Sequence, residues 1–121
     1  MSLTMYLYPA CGTCRKAKKW LGDRHIGVKE IHIVEHPPSR EEIKGLFEKS
    51  GLELKKFFNT SGQKYRELGL KDKVQTASQD ELLDLLASDG MLLKRPIITD
   101  GKKVTVGFRE AEFERVWKGS E

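Results

Sequence analysis

Two cysteines separated by two residues, Cys11 and Cys14, form the motif Cys-Gly-Thr-Cys. An apolar run over residues 3–8 precedes the motif and a basic, helix-prone segment follows it, which predicts a turn from strand to helix. Unpaired backbone N–H groups and the positive end of the helix dipole favour the thiolate at such a turn. The motif therefore predicts redox chemistry, with the more open Cys11 as nucleophile and Cys14 as the thiol that resolves an adduct on it.

The same cysteines allow two other interpretations. A pair of buried apolar cysteines would be chemically inert. Cys11 and Cys14 together with His32 and His36 superficially resemble four zinc ligands, but extended chain would hold the two histidines about 13 Å apart, too far to share one ion. We therefore expect no metal site, and we expect His25, His32 and His36 to be surface or strand residues rather than ligands or bases.

Two arginines are candidate anion-binding residues. Arg95 and Pro96 precede a predicted strand that should run beside the first strand, so Arg95 could lie near Cys11 and stabilise an oxyanion or the sulfur anion. Arg109 is the second candidate, and a solvated side chain is the alternative for both. A cis bond at Pro96 is a hypothesis, because only about 5% of X-Pro bonds are cis. The backbone amides that start the helix, at Gly12 and Thr13, are further candidate anion ligands.

Composition limits the class of protein. A length of 121 residues predicts one domain, and the 33% of charged residues alternate in sign along the chain, as in folded proteins. The net charge is +4, but the basic residues form no stripe with aromatic residues between them, so we expect no direct nucleic-acid binding. We find no secretory signal and no run of roughly 18 apolar residues, so we expect a cytoplasmic protein with no membrane contact. In that reducing compartment, paired cysteines are more often catalytic, redox-sensing or metal-binding than a permanent structural disulfide.

The predicted elements follow the order βαβ, a helical block, then ββα. Capping boxes at Ser39 with Glu42 and at Ser78 with Glu81 mark helices within the block, which spans about residues 39–90. Strands are predicted over residues 28–34 and, around the Asp100-Gly101 turn, over residues 97–99 and 104–106, and a last helix over residues 110–118. This order predicts an α/β thioredoxin-like fold with a mixed four-stranded sheet and an all-helical insert, in a single domain over residues 1–121.

Segments along nearly the whole chain are similar to one known family. They are residues 8–17, 36–39, 58–62, 65–68, 93–97 and 106–108. On these segments the chain resembles the arsenate reductase (ArsC), Spx and MgsR family of thioredoxin-like proteins, in particular its small bacillary members. The resemblance implies a nucleophile at Cys11 and an anion-binding Arg95 ahead of a cis Pro96.

The resemblance also shows three departures. Glutaredoxin-coupled arsenate reductases carry three arginines around the oxyanion, of which Arg95 and Arg109 match two, while Asn59 stands at the third position. Tyr8 stands where these enzymes have Asn, and Cys14 where they often have Ser. The second cysteine makes the chain more similar to Spx, a redox-switched regulator that binds RNA polymerase.

We therefore expect a monomeric thiol–disulfide oxidoreductase whose substrate is a small oxyanion or a disulfide, with arsenate as one candidate. The resemblance implies no bound cofactor, because electrons would come from glutathione, another low-molecular-weight thiol or thioredoxin. The alternative is an Spx-like regulator whose Cys-x-x-Cys is a switch and whose partner is RNA polymerase.

Overall fold

The computed structural model describes residues 3–118, so the first two and last three residues of the predicted domain lie outside the described residues. The helices and strands are β1 (Leu3–Leu7), α1 (Gly12–Asp23), β2 (Val28–His32), α2 (Arg40–Ser50), α3 (Gln63–Glu67), α4 (Leu70–Thr76), α5 (Gln79–Ser88), β3 (Ile97–Thr99), β4 (Val104–Val106) and α6 (Glu110–Val116). They divide into two compact units, residues 3–32 with 95–118, and residues 33–94. Within residues 3–118, no helix has the length and apolar composition that a membrane span requires.

The first unit contains a four-stranded sheet in the order β2-β1-β3-β4. β1 and β2 are parallel, whereas β3 pairs antiparallel with both β1 and β4. The turn from β3 to β4 contains the predicted Asp100-Gly101 pair, with Gly101 in the left-handed region at a φ of 96° and Asp100 Oδ1 accepting the Lys102 and Lys103 amides at 2.8 Å. The predicted mixed sheet and α/β class are confirmed.

In the core of the first unit, one face of α1 packs against the sheet. The buried residues of α1 recur at helical spacing and begin with its second cysteine; they are Cys14, Ala17, Trp20 and Leu21. They share a cluster with the β1 and β3 side chains and with Phe113 and Trp117 from the C-terminal segment. The indole Nε1 of Trp117 donates to Thr105 Oγ1 at 3.0 Å, which satisfies a polar group inside this core. The helix is therefore anchored by apolar contacts that include the Cys14 side chain.

The second unit is built from helices, as the sequence predicts. Ser39 and Glu42 form the predicted capping box at the start of α2, with the Glu42 amide donating to Ser39 Oγ and the Ser39 amide donating to the Glu42 carboxylate, both at 3.1 Å. Arg40 then connects α2 to α5 through Asp80 and Asp84, at 2.9 and 2.7 Å. Buried side chains fill the unit; they include Ile43, Phe57, Phe58, Leu83, Leu86 and Leu92.

The end of the second unit holds the chain in place directly before Arg95. Phe58 and Leu93 form an antiparallel bridge, and on either side of it the Asn59 amide donates to the Leu92 carbonyl at 2.8 Å and the Lys94 amide to the Phe57 carbonyl at 2.7 Å. Gly90 lies so close to Ile33 that a Cβ atom there would collide with the Ile33 carbonyl. Backbone contacts thus determine where the chain leaves this unit.

Two predicted element ends and one predicted helix cap differ from the structure. β2 ends at His32 rather than residue 34, because the chain turns at residues 33–35 ahead of the two prolines. α6 ends at Val116 rather than at residue 118. At α5 the Glu81 amide donates to Ser78 Oγ at 3.2 Å, but the Ser78 hydroxyl, and not its amide, contacts the Glu81 carboxylate, so only half of the predicted capping box forms.

Candidate active site

Cys11 is the N-cap residue of α1. Its backbone is extended, with φ −83° and ψ 119°, and its Sγ accepts a hydrogen bond from the Cys14 amide at 3.4 Å. The sulfur thus occupies the place that an oxygen of Ser, Thr or Asp takes in most N-caps. Amides and the positive end of the helix dipole surround it there, and both favour an anion on sulfur. Both cysteines are free, and Cys11 is half-buried.

The electrostatic surroundings lower the pKa of Cys11 from its ordinary value of 9.0. Partial burial is the largest single influence and acts in the opposite direction, because it disfavours charge. Hydrogen bonds from the thiol and amide of Cys14 and from Arg95, together with the positive charge of Arg95, outweigh the burial. Cys11 is therefore the thiol that ionises first.

Cys14 has the opposite character. Only 1% of the residue is exposed, and burial raises the pKa of its thiol to about 12. A hydrogen bond from the backbone of Tyr8 acts the other way, while the hydrogen bond to Cys11 and the charge on Cys11 raise the pKa further. Cys14 consequently remains a protonated donor beside the Cys11 sulfur until something removes its proton.

Arg95 reaches Cys11 from the start of β3. The peptide bond between Arg95 and Pro96 is cis, and the Gly107 amide donates to the Pro96 carbonyl at 2.8 Å. The Arg95 guanidinium carbon lies 5.3 Å from the centre of the Tyr8 ring, and the same side chain contributes a hydrogen bond and a positive charge to Cys11. β1 and β3 are neighbours in the sheet, so the strand pairing brings this arginine to the end of β1 where the thiols lie.

The other candidate anion ligands are not all gathered at the thiol. Gly12 and Thr13 are the first two residues of α1 and are exposed, with amides in the turn whose donors have no partner within the helix. Arg109 precedes α6 with 77% of its side chain exposed, and its guanidinium contacts the Glu112 carboxylate at 3.3 Å. Arg95 is thus the arginine whose hydrogen bond and charge act on Cys11, while Arg109 is paired with an acid.

Asn59 belongs to the second unit, where its backbone contacts Leu92 and the turn that it starts. The Gly62 amide donates to the Asn59 carbonyl at 3.0 Å. A Cβ atom on Gly62 would come within 2.7 Å of the Asn59 side-chain nitrogen, so the amide group packs directly over the glycine. A short side chain at position 59 fits this turn.

Sequence reasoning missed a cavity beside Cys14. A cavity of about 270 Å³ is lined by residues of α1, β2 and the end of β1: Leu7, Tyr8, Pro9, Cys14, Arg15, Lys18, Glu30 and His32. Glu30 and His32 are two positions apart on β2, so they point to the same face, and Lys18 Nζ contacts Glu30 at 3.0 Å. That spacing was the available signal, but only the structure shows that this face of β2 lines the same cavity as Cys14.

The sequence predicts no metal site, with the three histidines on the surface or on a strand. His25 and His36 are exposed, whereas His32 is a half-buried residue of β2. Within residues 3–118, the structure brings together no group of three or more His, Cys, Asp or Glu side chains that could hold a metal ion.

A parallel βαβ unit followed by an antiparallel hairpin, with paired thiols at the start of the first helix, defines a thioredoxin-like protein with a thiol site. Residues 6–116 match the ArsC family, and the chain belongs to that family.

Several relatives and solved structures are similar to this chain. The Bacillus subtilis protein YusI is 68% identical, covering 97% of this chain and 99% of that protein. The regulatory protein MgsR of Bacillus subtilis is 34% identical (96% and 90% covered), and the global transcriptional regulator Spx of Streptococcus pyogenes is 35% identical (92% and 81% covered). Among solved structures, an ArsC family related protein from Bacteroides fragilis has a TM-score of 0.91 at 45% identity, covering 95% of this chain and 97% of that one. The arsenate reductase from Vibrio cholerae has a TM-score of 0.78 at 29% identity, with 98% and 97% covered.

Proposed function

We propose that this chain is a thiol–disulfide oxidoreductase of the arsenate reductase-like kind, in which Cys11 attacks the substrate and Cys14 resolves the adduct. The observation that carries the proposal is the asymmetry of the two thiols. Cys11 is half-buried, caps a helix and has a lowered pKa, whereas Cys14 is buried with a raised one. A reactive thiolate beside a protonated partner is the arrangement that attack followed by resolution needs.

With arsenate as substrate, the Cys11 thiolate attacks arsenic and one arsenate oxygen leaves as water after protonation. Arg95 and the amides that start α1 stabilise the negative oxygens. A second thiol then attacks the Cys11 sulfur, so the sulfur–arsenic bond breaks and its electron pair leaves with arsenite. If that thiol is Cys14, the product is the Cys11–Cys14 disulfide, and two external thiols reduce it. Glutathione, another low-molecular-weight thiol or thioredoxin is the proposed donor, and the chemistry needs no bound cofactor.

The anion site carries a specific expectation at Asn59. The resemblance assigns a third arginine to this position, and a missing charge-assisted hydrogen bond removes on the order of 1.5 to 3 kcal/mol of oxyanion binding. We therefore expect a high KM for arsenate. A KM for arsenate well below about 1 mM would contradict this expectation.

The test of the function is reduction of arsenate coupled to NADPH oxidation, with glutathione and glutaredoxin in one series and thioredoxin and its reductase in another. Native protein should turn over, and Cys11→Ser should not. Cys14→Ser distinguishes internal resolution from resolution by the external thiol, because only the second leaves this variant active. Equal rates for native protein and Cys11→Ser would end the enzyme proposal.

A redox-switched regulator is the second candidate function, favoured by the identity of more than a third to Spx and by the second cysteine. In this alternative, formation of the Cys11–Cys14 disulfide changes the binding of RNA polymerase. Capture of purified RNA polymerase on immobilised protein, fully oxidised or fully reduced, tests it. Binding that depends on the redox state and is lost in Cys11→Ser would favour the regulator, and no binding in either state would exclude it.

For either role we propose that the protein acts as a monomer in the cytoplasm, where thiol reductants keep the pair reduced. The substrate is then a small oxyanion or a disulfide.

A further inference from the structure

Resolution requires that Cys14 lose its proton, and the Cys14 sulfur is poorly placed to lose it to bulk solvent. The residue is 1% exposed, so water outside the protein does not reach it directly. Its raised pKa, about 12, leaves only a very small thiolate fraction at neutral pH. A base close to Cys14 would remove this obstacle to the second half of the reaction.

The cavity beside Cys14 offers such a base. His32 lines the same cavity of about 270 Å³ as Cys14, on the face of β2 that points toward α1. A water molecule takes up about 30 Å³ in the liquid, so the cavity that both residues line has room for water. Proton transfer directly or through one water is the geometry in which a general base acts.

The other polar groups of the cavity are less suited to the task. Arg15 and Lys18 of α1 are cations and accept no proton, and Tyr8 at the end of β1 presents a ring that packs near Arg95. Glu30 supplies a carboxylate to this cavity, and that carboxylate contacts the Lys18 ammonium at 3.0 Å. Imidazole is also the side chain that enzymes use most often as a general base.

We propose that His32 is the general base that takes the thiol proton of Cys14 when Cys14 attacks an adduct on Cys11. The inference rests on the proposed roles of the two cysteines and adds a third residue to them. In the step, the Cys14 sulfur forms a bond to the Cys11 sulfur while the bond from Cys11 to the departing group breaks. The departing group leaves with that electron pair, and the proton moves from Cys14 to the imidazole and then to solvent or to the departing thiolate. For a mixed disulfide this is an exchange that needs no further oxidant.

A coloured mixed disulfide separates the two halves of the reaction. When reduced protein meets an excess of dithiobis(nitrobenzoate), attack by Cys11 releases one coloured thiolate at a rate that depends on reagent concentration. Attack by Cys14 on the resulting adduct releases a second coloured thiolate at a rate that is independent of reagent concentration. Cys14→Ser should release only the first, and the mass of the native product should be that of an internal disulfide.

His32→Gln is expected to slow the second phase by roughly 100-fold and to leave the first unchanged, because only the second needs Cys14 deprotonated. Free imidazole added to His32→Ala should restore the second phase, which a purely structural role of His32 would not produce.

Two matched variants complete the test. His36→Gln changes an exposed histidine, and Glu30→Gln removes the carboxylate of the cavity; both should keep the native second phase. A His32→Gln second phase within about twofold of the native rate would overturn the base assignment, as would a loss in Glu30→Gln equal to that in His32→Gln. A native protein whose first phase is as slow as that of an ordinary thiol would instead overturn the proposed function, so the two failures are distinguishable.

Discussion

Replacement of Arg95 by Met is the most direct test of how the thiolate is stabilised. The change keeps the length of the side chain but removes the hydrogen bond and the positive charge that Arg95 supplies to Cys11. A hydrogen bond between charged groups contributes about 1.5 to 3 kcal/mol. Because Cys11 is only half-buried, solvent screening reduces the contribution of Arg95 to the stability of the thiolate. We expect a contribution of about 1.4 kcal/mol, which corresponds to one pKa unit.

The expected result is therefore a rise of about one unit in the Cys11 pKa. Ultraviolet absorbance of the thiolate, followed from about pH 4 to about pH 9, measures it, and the pH dependence of alkylation by iodoacetamide gives an independent value. Cys14 does not interfere in this range, because its pKa of about 12 lies well above it. Arg95→Lys keeps a charge but not the planar fork, and should fall between native protein and Arg95→Met.

Arg109→Met is the matched comparison. It makes the same chemical change at the second candidate arginine, whose guanidinium contacts Glu112 at 3.3 Å rather than supplying a hydrogen bond to Cys11. The Cys11 pKa should stay at its native value in this variant. If Arg95→Met also left the pKa unchanged while the protein remained folded by circular dichroism, the stabilisation of the thiolate by Arg95 would be refuted.

Three further predictions concern stability, each measured by urea unfolding of reduced protein. The folded-state pKa of Cys14 lies above its ordinary value of 9.0, so the contribution of this thiol to stability is complete below pH 9 and is lost as pH rises toward 12. Between pH 8 and pH 10.5 the free energy of unfolding of native protein should fall by about 2 kcal/mol more than that of Cys14→Ala. Equal losses in the two proteins would contradict this. Thr105→Val leaves the buried Trp117 indole without its 3.0 Å acceptor and should cost about 1 to 3 kcal/mol, whereas a neutral result would mean that the indole finds another partner. Gly90→Ala places a Cβ against the Ile33 carbonyl and should cost about 1 to 3 kcal/mol, while the same change at Gly45, where a Cβ meets nothing within 4 Å, should not destabilise.

Local sequence signals were sufficient for most of the architecture. The Asp100-Gly101 pair predicts a hairpin because glycine adopts the positive φ that the turn needs, and Ser39 with Glu42 predicts a helix start because both side chains bond to backbone amides within the same turn. The position of Cys11 at a helix start follows from the same kind of reasoning. In each case the interacting groups are near one another in sequence.

The contacts that tune the site could not be predicted in this way, because they join distant parts of the chain. The approach of Arg95 to Tyr8 depends on β3 pairing with β1, and the position of His32 and Cys14 at one cavity depends on which face of β2 turns toward α1. A shift of one residue in either register would reverse the face on which each side chain lies. The end of β2 at His32 has the same origin, since alternation in the sequence continues past the point at which the chain turns.

The asymmetry of the thiols also governs how the disulfide would be reduced again. Because Cys14 is buried and Cys11 is only half-buried, an incoming thiolate reaches the Cys11 sulfur and expels Cys14. The contacts that lower the Cys11 pKa stabilise the reduced pair relative to the disulfide. A pair of cysteines that is stabilised in its reduced form accepts electrons readily from external thiols. This suits a protein that transfers electrons to a substrate and must be reduced again after every turnover. A switch that has to remain oxidised long enough to signal would need the opposite balance, or a partner that holds the disulfide.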